Sequence, residues 1–454
     1  MSIRKGALPR VAHSLRTLFA LLTIVTGLSL PLWAGNNQKD FVQVGGINID
    51  TEGVLRNPTI DDVGLLIRIR LKRMEPVAAD IDSWTDMRMV SLKGLEAAVA
   101  EQHRKIAPLT DELRYLAGLQ RIEYVFVYPE LNDIVIAGPA EGWKVGERGD
   151  VIGKTTGRPV MLLDDLLVAL RTAKAAADGG LTCSIDPTPE GLTRLQAFLS
   201  QGNAAANEAT LTALQDSLGM QNITLRGMPP MTHFARVMVA ADYRMKRFAM
   251  QFEDAPVQGM PSYLKMISGP SKNMMPRWWL TTNYDSLLKD PNGLAWQIRG
   301  PGVKAMTEDN ILAANGSVQP SGKSSPAAQK WADTMTAKYD ELSAIVPIFG
   351  QLRNVMDMAV VGALIEKEGL CEKAGFEMPL LMNEREFGTD DFTTPRQVPS
   401  MASVVKKRGG FLISVSGGVE ISSWQAIENV EESTELAEVH TKSTRGPMAK
   451  WWWN

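Results

Sequence analysis

An α+β fold, with several β-hairpins packed against helices in two or three blocks, is what the 454-residue sequence predicts, and two kinds of pattern predict it. Three pairs of β-rich runs flank short turn-forming segments, which is hairpin chemistry. The stretches between them carry capped, apolar-periodic helix signals. The three pairs share no residue pattern at a fixed period, so a repeat architecture is not expected.

Residues 1–34 read as a signal peptide. Arg4, Lys5, Arg10 and Arg16 form a basic start, Leu18 to Leu30 is an uncharged apolar run, and Ala34 supplies a small residue for cleavage. The run is short for a bilayer span. Export to the periplasm, the cell envelope or beyond is therefore expected. Cleavage after Ala34 would leave 44 Lys+Arg against 51 Asp+Glu, a net charge of −7. That balance argues against general nucleic-acid binding, which needs a basic footprint.

Residues 35–180 form an N-terminal α+β block. FVQVGGINID alternates like a strand, while TIDDVGLLIRIRLKRM, SLKGLEAAVAEQHRK and TDELRYLAGL read as helices, the last two capped by Ser91 and Thr110. RIEYVFVYPELNDIVIAG is a hairpin turning at residues 129–133. LLDDLLVALRTAKAAADGG is a helix that starts at Asp164 or Asp165 and stops at Gly179. A central α+β block follows over residues 181–314. DPTPEGLTRLQAFLS and NEATLTALQDSLGM are helices, NITL is a short strand, and MTHFARVMVAADYRMKRFAMQF gives the clearest helical signal. RWWLTTNYDSLL and LAWQIRGPGV flank Lys289-Asp290-Pro291-Asn292-Gly293, a second hairpin by its turn residues.

Small polar residues make 315–328 a linker. Residues 329–375 are a helical segment in which Pro347 forces a kink or a split. Residues 376–430 form a β-hairpin block, with SVVKKRGGFLISVSGGVEIS turning near Arg408-Gly409-Gly410, and 431–454 form a polar tail ending in three tryptophans.

The segment NGSVQPSGKSSP invites comparison with a phosphate-cradling loop. Such a loop places four residues between its first glycine and the Gly-Lys-Ser/Thr. Here Gly316 and Gly322 enclose five, and Pro320 removes an amide donor. Neither a nucleotide nor a cofactor is expected. His103, His233 and His440 are far apart, fall outside any paired-ligand spacing, and are each expected on a solvated face, so no metal is expected. Cys183 and Cys371 lack CxxC spacing; in an exported chain they either pair, closing a loop worth about 5 kcal/mol, or stay as buried free thiols. Ser416 precedes Gly417-Gly418 without the G-x-S-x-G elbow of a nucleophile, and is expected in a hairpin strand with a Gly-Gly bulge.

Asp164 and Asp165 could form a carboxylate pair for acid–base work. Adjacent helical residues point about 100° apart, so capping of the helix start is the reading adopted. On the helix from Thr232 to Phe252, an apolar stripe is expected in the core, while His233, Arg236, Arg244 and Arg247 share a face that is either solvated or meets an anionic polymer or lipid head group. Trp278, Trp279, Trp296 and Trp424 offer either sugar-stacking platforms or aromatic core, with core favoured. Trp451, Trp452 and Trp453 are apolar enough to dock on the protein, on a partner or peripherally on a membrane.

Four segments, VGGINIDTEGVLRNP, RIEYVFVYPELNDIVIAGPAEGW, CSIDPTPEGLTRL and FLISVSGGVEISSW, stand in an order that resembles an exported family typical of planctomycete bacteria, known only as a domain of unknown function. The likeness runs from about Val42 to Trp424. It implies an exported protein of the envelope or beyond, and it carries no catalytic residue to transfer. A non-enzymatic structural or interaction protein with an envelope protein or polymer as partner is the resulting expectation. The alternative is a secreted hydrolase acting on a glycan or other envelope polymer.

Overall fold

Ser91, Thr188, Asn207, Thr232, Ser325 and Ser433 each accept the backbone N–H three residues on, and a helix begins after every one of them. The computed structural model describes residues 47–50, 52–58, 60–201, 207–267, 274–312, 318–405, 411–414, 416–444 and 453. The expected signal peptide lies outside them. The longer helices, with the short ones that adjoin them, are α1 (Ile60–Arg73), α2 (Leu92–Arg104), α3 (Leu163–Thr172), α4 (Pro189–Ser200), α5 (Glu208–Leu218), α6 (His233–Ala249), α7 (Pro326–Ala337), α8 (Tyr339–Ile345), α9 (Pro347–Glu368), α10 (Leu370–Ala374) and α11 (Thr434–Lys442). Pro347 splits α8 from α9 by occupying the first turn of α9, where its missing N–H costs nothing.

Two sheets hold the strands that matter here: β1 (Thr85–Ser91), β2 (Tyr124–Tyr128), β3 (Asp133–Ala140), β4 (Leu181–Pro187), β5 (Met220–Arg226), β6 (Met274–Asn283), β7 (Leu287–Lys289), β8 (Ala295–Gln297), β9 (Gly302–Leu312), β10 (Val318–Pro320), β11 (Gln397–Pro399), β12 (Ser416–Ile421) and β13 (Val430–Glu432). One sheet has seven strands in the order β10-β9-β6-β12-β4-β5-β11, and the other has six in the order β13-β7-β8-β2-β3-β1. Within them β6–β12 and β7–β13 are parallel and every other pair is antiparallel. The fold is α+β.

All three expected hairpins form. β2 and β3 pair from Tyr124↔Ala137 to Tyr128↔Asp133. The second is nested: β7 and β8 pair around residues 290–294 in the six-stranded sheet, while the flanking β6 and β9 form the longest antiparallel pair of the seven-stranded one. Asp290 accepts the N–H groups of Leu294 and Ala295 at 2.6 and 2.7 Å, which closes the turn. The third joins Ala402–Val405 to Phe411–Ser414.

Three expectations need correction. Val318–Pro320, inside the expected linker, is an edge strand paired with β9; a three-residue strand leaves no periodic signature. The helix expected over TDELRYLAGL breaks after Arg114, because Leu116, Ala117 and Gly118 take positive φ. Ser416 lies not in a hairpin but in β12, between β6 and β4. Its glycines permit that place: a Cβ on Gly417 would stand 1.9 Å from the Trp278 carbonyl oxygen, and one on Gly418 2.0 Å from that of Cys183.

The main core gathers around α9, which packs against α3 and α6. That helix is long and apolar enough to cross a bilayer, yet 94% of its apolar window is buried inside the protein. α6 is buried nearly all round, and Lys246 and Asp242 pair at 2.8 Å with both side chains fully enclosed. In the expected polar tail, Leu436 of α11 joins the small cluster that includes Phe126 and Tyr128. Trp453 packs, partly buried, on the protein and bridges Val90, whereas Trp451 and Trp452 lie outside the described residues.

Candidate functional site

Two sites lie along one helix pair. At the N-terminal ends of α3 and α9 is a polar chamber; toward their C-terminal ends is an apolar cleft.

The chamber is built on His233, the first residue of α6. Its Nδ1–H donates to both carboxylate oxygens of Asp165, at 2.8 and 3.0 Å, and only 3% of the residue is exposed. The Phe392 ring closes over the imidazole edge-on, with centroids 5.2 Å apart. Arg70, Gln351 and Asn354, with Val151, Val160 and Leu162, complete the walls, and Gln351 donates to buried Asp150 at 3.1 Å. Beside it, Asp164 accepts the Asp390 N–H at 3.1 Å; burial, reinforced by the Asp390 carboxylate, pushes its carboxyl up to about 7. Neither aspartate caps α3: the N-cap is Leu162, which makes no side-chain bond. Two expectations are therefore overturned: the capping role of this pair, by an N-cap that uses neither side chain, and the solvated His233, by burial.

A histidine oriented by a carboxylate is the arrangement a general base uses. The chamber, however, encloses only about 20 Å³, room on the order of one water. The pair is a buried clasp between α3 and α6, and a substrate does not fit.

The cleft is larger, about 260 Å³. Leu170 and Ala173 form one wall, Gly362 and Ile365 of α9 another, and Cys371, Met378 and Met382 line the rest. Gly362 sets the floor, because a Cβ there would meet the Ala169 carbonyl oxygen at 2.7 Å. Gly369, left-handed at φ 60°, ends α9 and turns the chain into α10; Gly375, at φ 61°, ends α10 in the same way. The far wall, residues 376–387, is held from outside. Glu96 of α2 accepts the N–H groups of Leu380 and Leu381 at 2.8 and 3.0 Å, and Arg171 donates to the carbonyls of Leu381 and Phe387, each at 2.7 Å. Glu366 and Glu377 stand exposed among the lining residues. The Cys371 thiol is pushed up by burial first and by those two carboxylates next.

The remaining candidates fall elsewhere. Arg236 is 3% exposed, donates to the Ile47 carbonyl oxygen at 3.4 Å, and is pushed down to about 10 by burial. Arg244 and Arg247 both engage Glu253. The expected basic face is thus interior or neutralised. Trp278 and Trp296 are core, Trp279 is half-buried under the Arg277 guanidinium, and the Trp424 Nε1–H donates to the Ala173 carbonyl oxygen at 2.8 Å. Cys183 is buried, Cys371 half-buried, and both are free thiols, so the disulfide alternative is overturned. His103 is exposed as expected; His440 is half-buried, stacked on Tyr128, with Nε2 3.1 Å from the Val127 carbonyl oxygen. The Gly322 N–H donates to Glu308 at 2.6 Å, so a carboxylate already occupies what a phosphate would need. Among the described residues no group of His, Cys, Asp and Glu side chains is placed to hold a metal ion.

Residues 183–263, from β4 through the residues after α6, match a family model described as Protein of unknown function (DUF1598). That description assigns no activity. The stretch includes CSIDPTPEGLTRL and His233, and it stops short of the cleft. No curated protein and no solved structure matches the chain.

Proposed function

We propose that the chain is an exported protein of the cell envelope that works by binding, and that the cleft beside Cys371 is where it receives an apolar group from its partner. The observation that carries this reading is the cleft itself. Its walls are mostly aliphatic and sulfur-bearing, with one side tied back by outside hydrogen bonds, and a cavity of this kind is the usual seat of a small ligand or an inserted side chain. Export is supported by the basic start and apolar run of the first 34 residues. A glycan hydrolase gains less support here, since a sugar's hydroxyls need several polar partners and Glu366 and Glu377 are the polar side chains in an otherwise aliphatic and sulfur-bearing lining.

Two measurements test the proposal on the chain expressed in its own bacterium. Protein recovered from the envelope fraction is expected to begin near Gly35; an intact Met1 in the cytoplasm would overturn export. Purified protein is expected to bind 1-hexanol in saturation-transfer NMR, and Cys371→Phe, which fills the cleft, to abolish the signal. An equal signal from the filled variant would remove the cleft from the function.

A further inference from the structure

The cleft is apolar, but its electrostatics are one-sided. Glu366 and Glu377 are the charged residues that line it, and both are acidic. Glu366 also sits in the last turn of α9, where the helix presents the negative end of its dipole. The basic side chains nearby are engaged away from the cleft. The Lys367 ammonium donates to the Ile427 carbonyl oxygen at 2.9 Å, and the Lys373 ammonium pairs with Glu368 and lies 5.2 Å over the Trp296 ring. Arg171 is held by the two carbonyls described above.

Resting on the binding reading above, we infer that the cleft selects a short aliphatic chain ending in an ammonium group: the chain lies on Leu170, Ile365 and Met378, and the cation is held between Glu366 and Glu377. An anionic end would meet two carboxylates and a helix C-terminus, and a neutral end would leave them unused. The size agrees. A cavity of roughly 150 Å³ takes up benzene, so one of about 260 Å³ accommodates a chain on the order of six carbons. The ammonium can come from a free amine or from a lysine side chain, whose four methylenes and charged head have the same form.

Cys371 gives a local reporter, because its thiol lines the cleft while Cys183, 2% exposed, serves as the silent internal control. Alkylation of Cys371 by iodoacetamide is followed at mildly alkaline pH in the presence of hexylammonium, 1-hexanol, hexanoate, or acetyl-lysine amide. Hexylammonium is expected to protect at about one-tenth the concentration of 1-hexanol, since each exposed carboxylate contributes a few-fold at most, and hexanoate is expected to protect least. The double variant Glu366→Gln, Glu377→Gln is expected to erase the advantage of hexylammonium while leaving protection by 1-hexanol in place. Protection by acetyl-lysine amide as well assigns the ammonium to a protein side chain; protection by hexylammonium alone assigns it to a free amine. Equal protection by the three hexyl probes would overturn the charge selection and leave the binding reading standing. Protection by none of the probes would overturn both.

Discussion

The polar chamber and the apolar cleft are built on the same two helices, about eleven residues or roughly 16 Å apart along α9, and they have opposite characters. At the chamber the three carboxylates are each answered: Asp165 by His233, Asp150 by Gln351, Asp164 by the Asp390 amide. Polar groups taken out of water need partners, and supplying those partners fills the space. At the cleft, Gly362 brings α9 close to α3 at one point, and the chain opposite is tied back by Glu96 and Arg171. The hydrogen bonds face outward and the apolar side chains face a gap. Cohesion and vacancy are thus divided between the two ends of one helix pair, so perturbations at each end should differ in kind.

The largest effect should come at the chamber. Asp165→Ala leaves the buried imidazole of His233 without its acceptor and is expected to destabilise the fold by about 3 kcal/mol, read as a lower urea midpoint. A loss below 0.5 kcal/mol would show that the clasp does not hold α3 to α6. Next comes Glu96→Ala, which strips two buried amides of their acceptor. About 2 kcal/mol should be lost, and Cys371 should be alkylated severalfold faster as the cleft wall loosens. Unchanged alkylation would mean that the wall is held by packing alone.

A third test uses pH. The Asp164 carboxyl titrates at about 7 in the fold, against about 3.9 when unfolded. The folded state therefore binds the proton more tightly, and this group's contribution is complete below about pH 4 and is lost as pH rises through 7. Thermal melts should show a fall in Tm between about pH 4 and 7, levelling off above it, that Asp164→Asn flattens; a parallel fall in the variant would place the titration elsewhere. The smallest effect on stability belongs to the cleft. Cys371→Phe, filling existing space, should shift stability by no more than about 1 kcal/mol, while uptake of 1-hexanol disappears.

Much of the local structure was legible in the chain. Cap residues such as Ser91 and Thr188, turn residues at 129–133 and 290–293, and the periodicity of α6 carry their signals within a few positions. The sites were not legible, because each depends on long-range meetings. His233 and Asp165 are 68 residues apart, and no spacing rule joins them. Arg236 resembled a surface residue because amphipathic reading assumes that one helix face is wet, and α6 has core on nearly every side. The cleft left only a faint trace: Gly362 within an apolar helix, then Gly369 and Gly375 close behind it. Glycines where a helix should otherwise run smoothly are the mark of a close approach and a change of direction.

The position of β12 also has a consequence for how the chain is made. Among the described strands it is the only hydrogen-bonded link between β10-β9-β6 and β4-β5-β11, yet it follows both β4 and β6 by more than a hundred residues, at 416–421. During synthesis the two halves of the sheet wait, unjoined, until residues 416–421 have been made. Contacts this distant in sequence form slowly, so the closing of the seven-stranded sheet belongs to a late step of folding, after the hairpins on either side of β12 have formed.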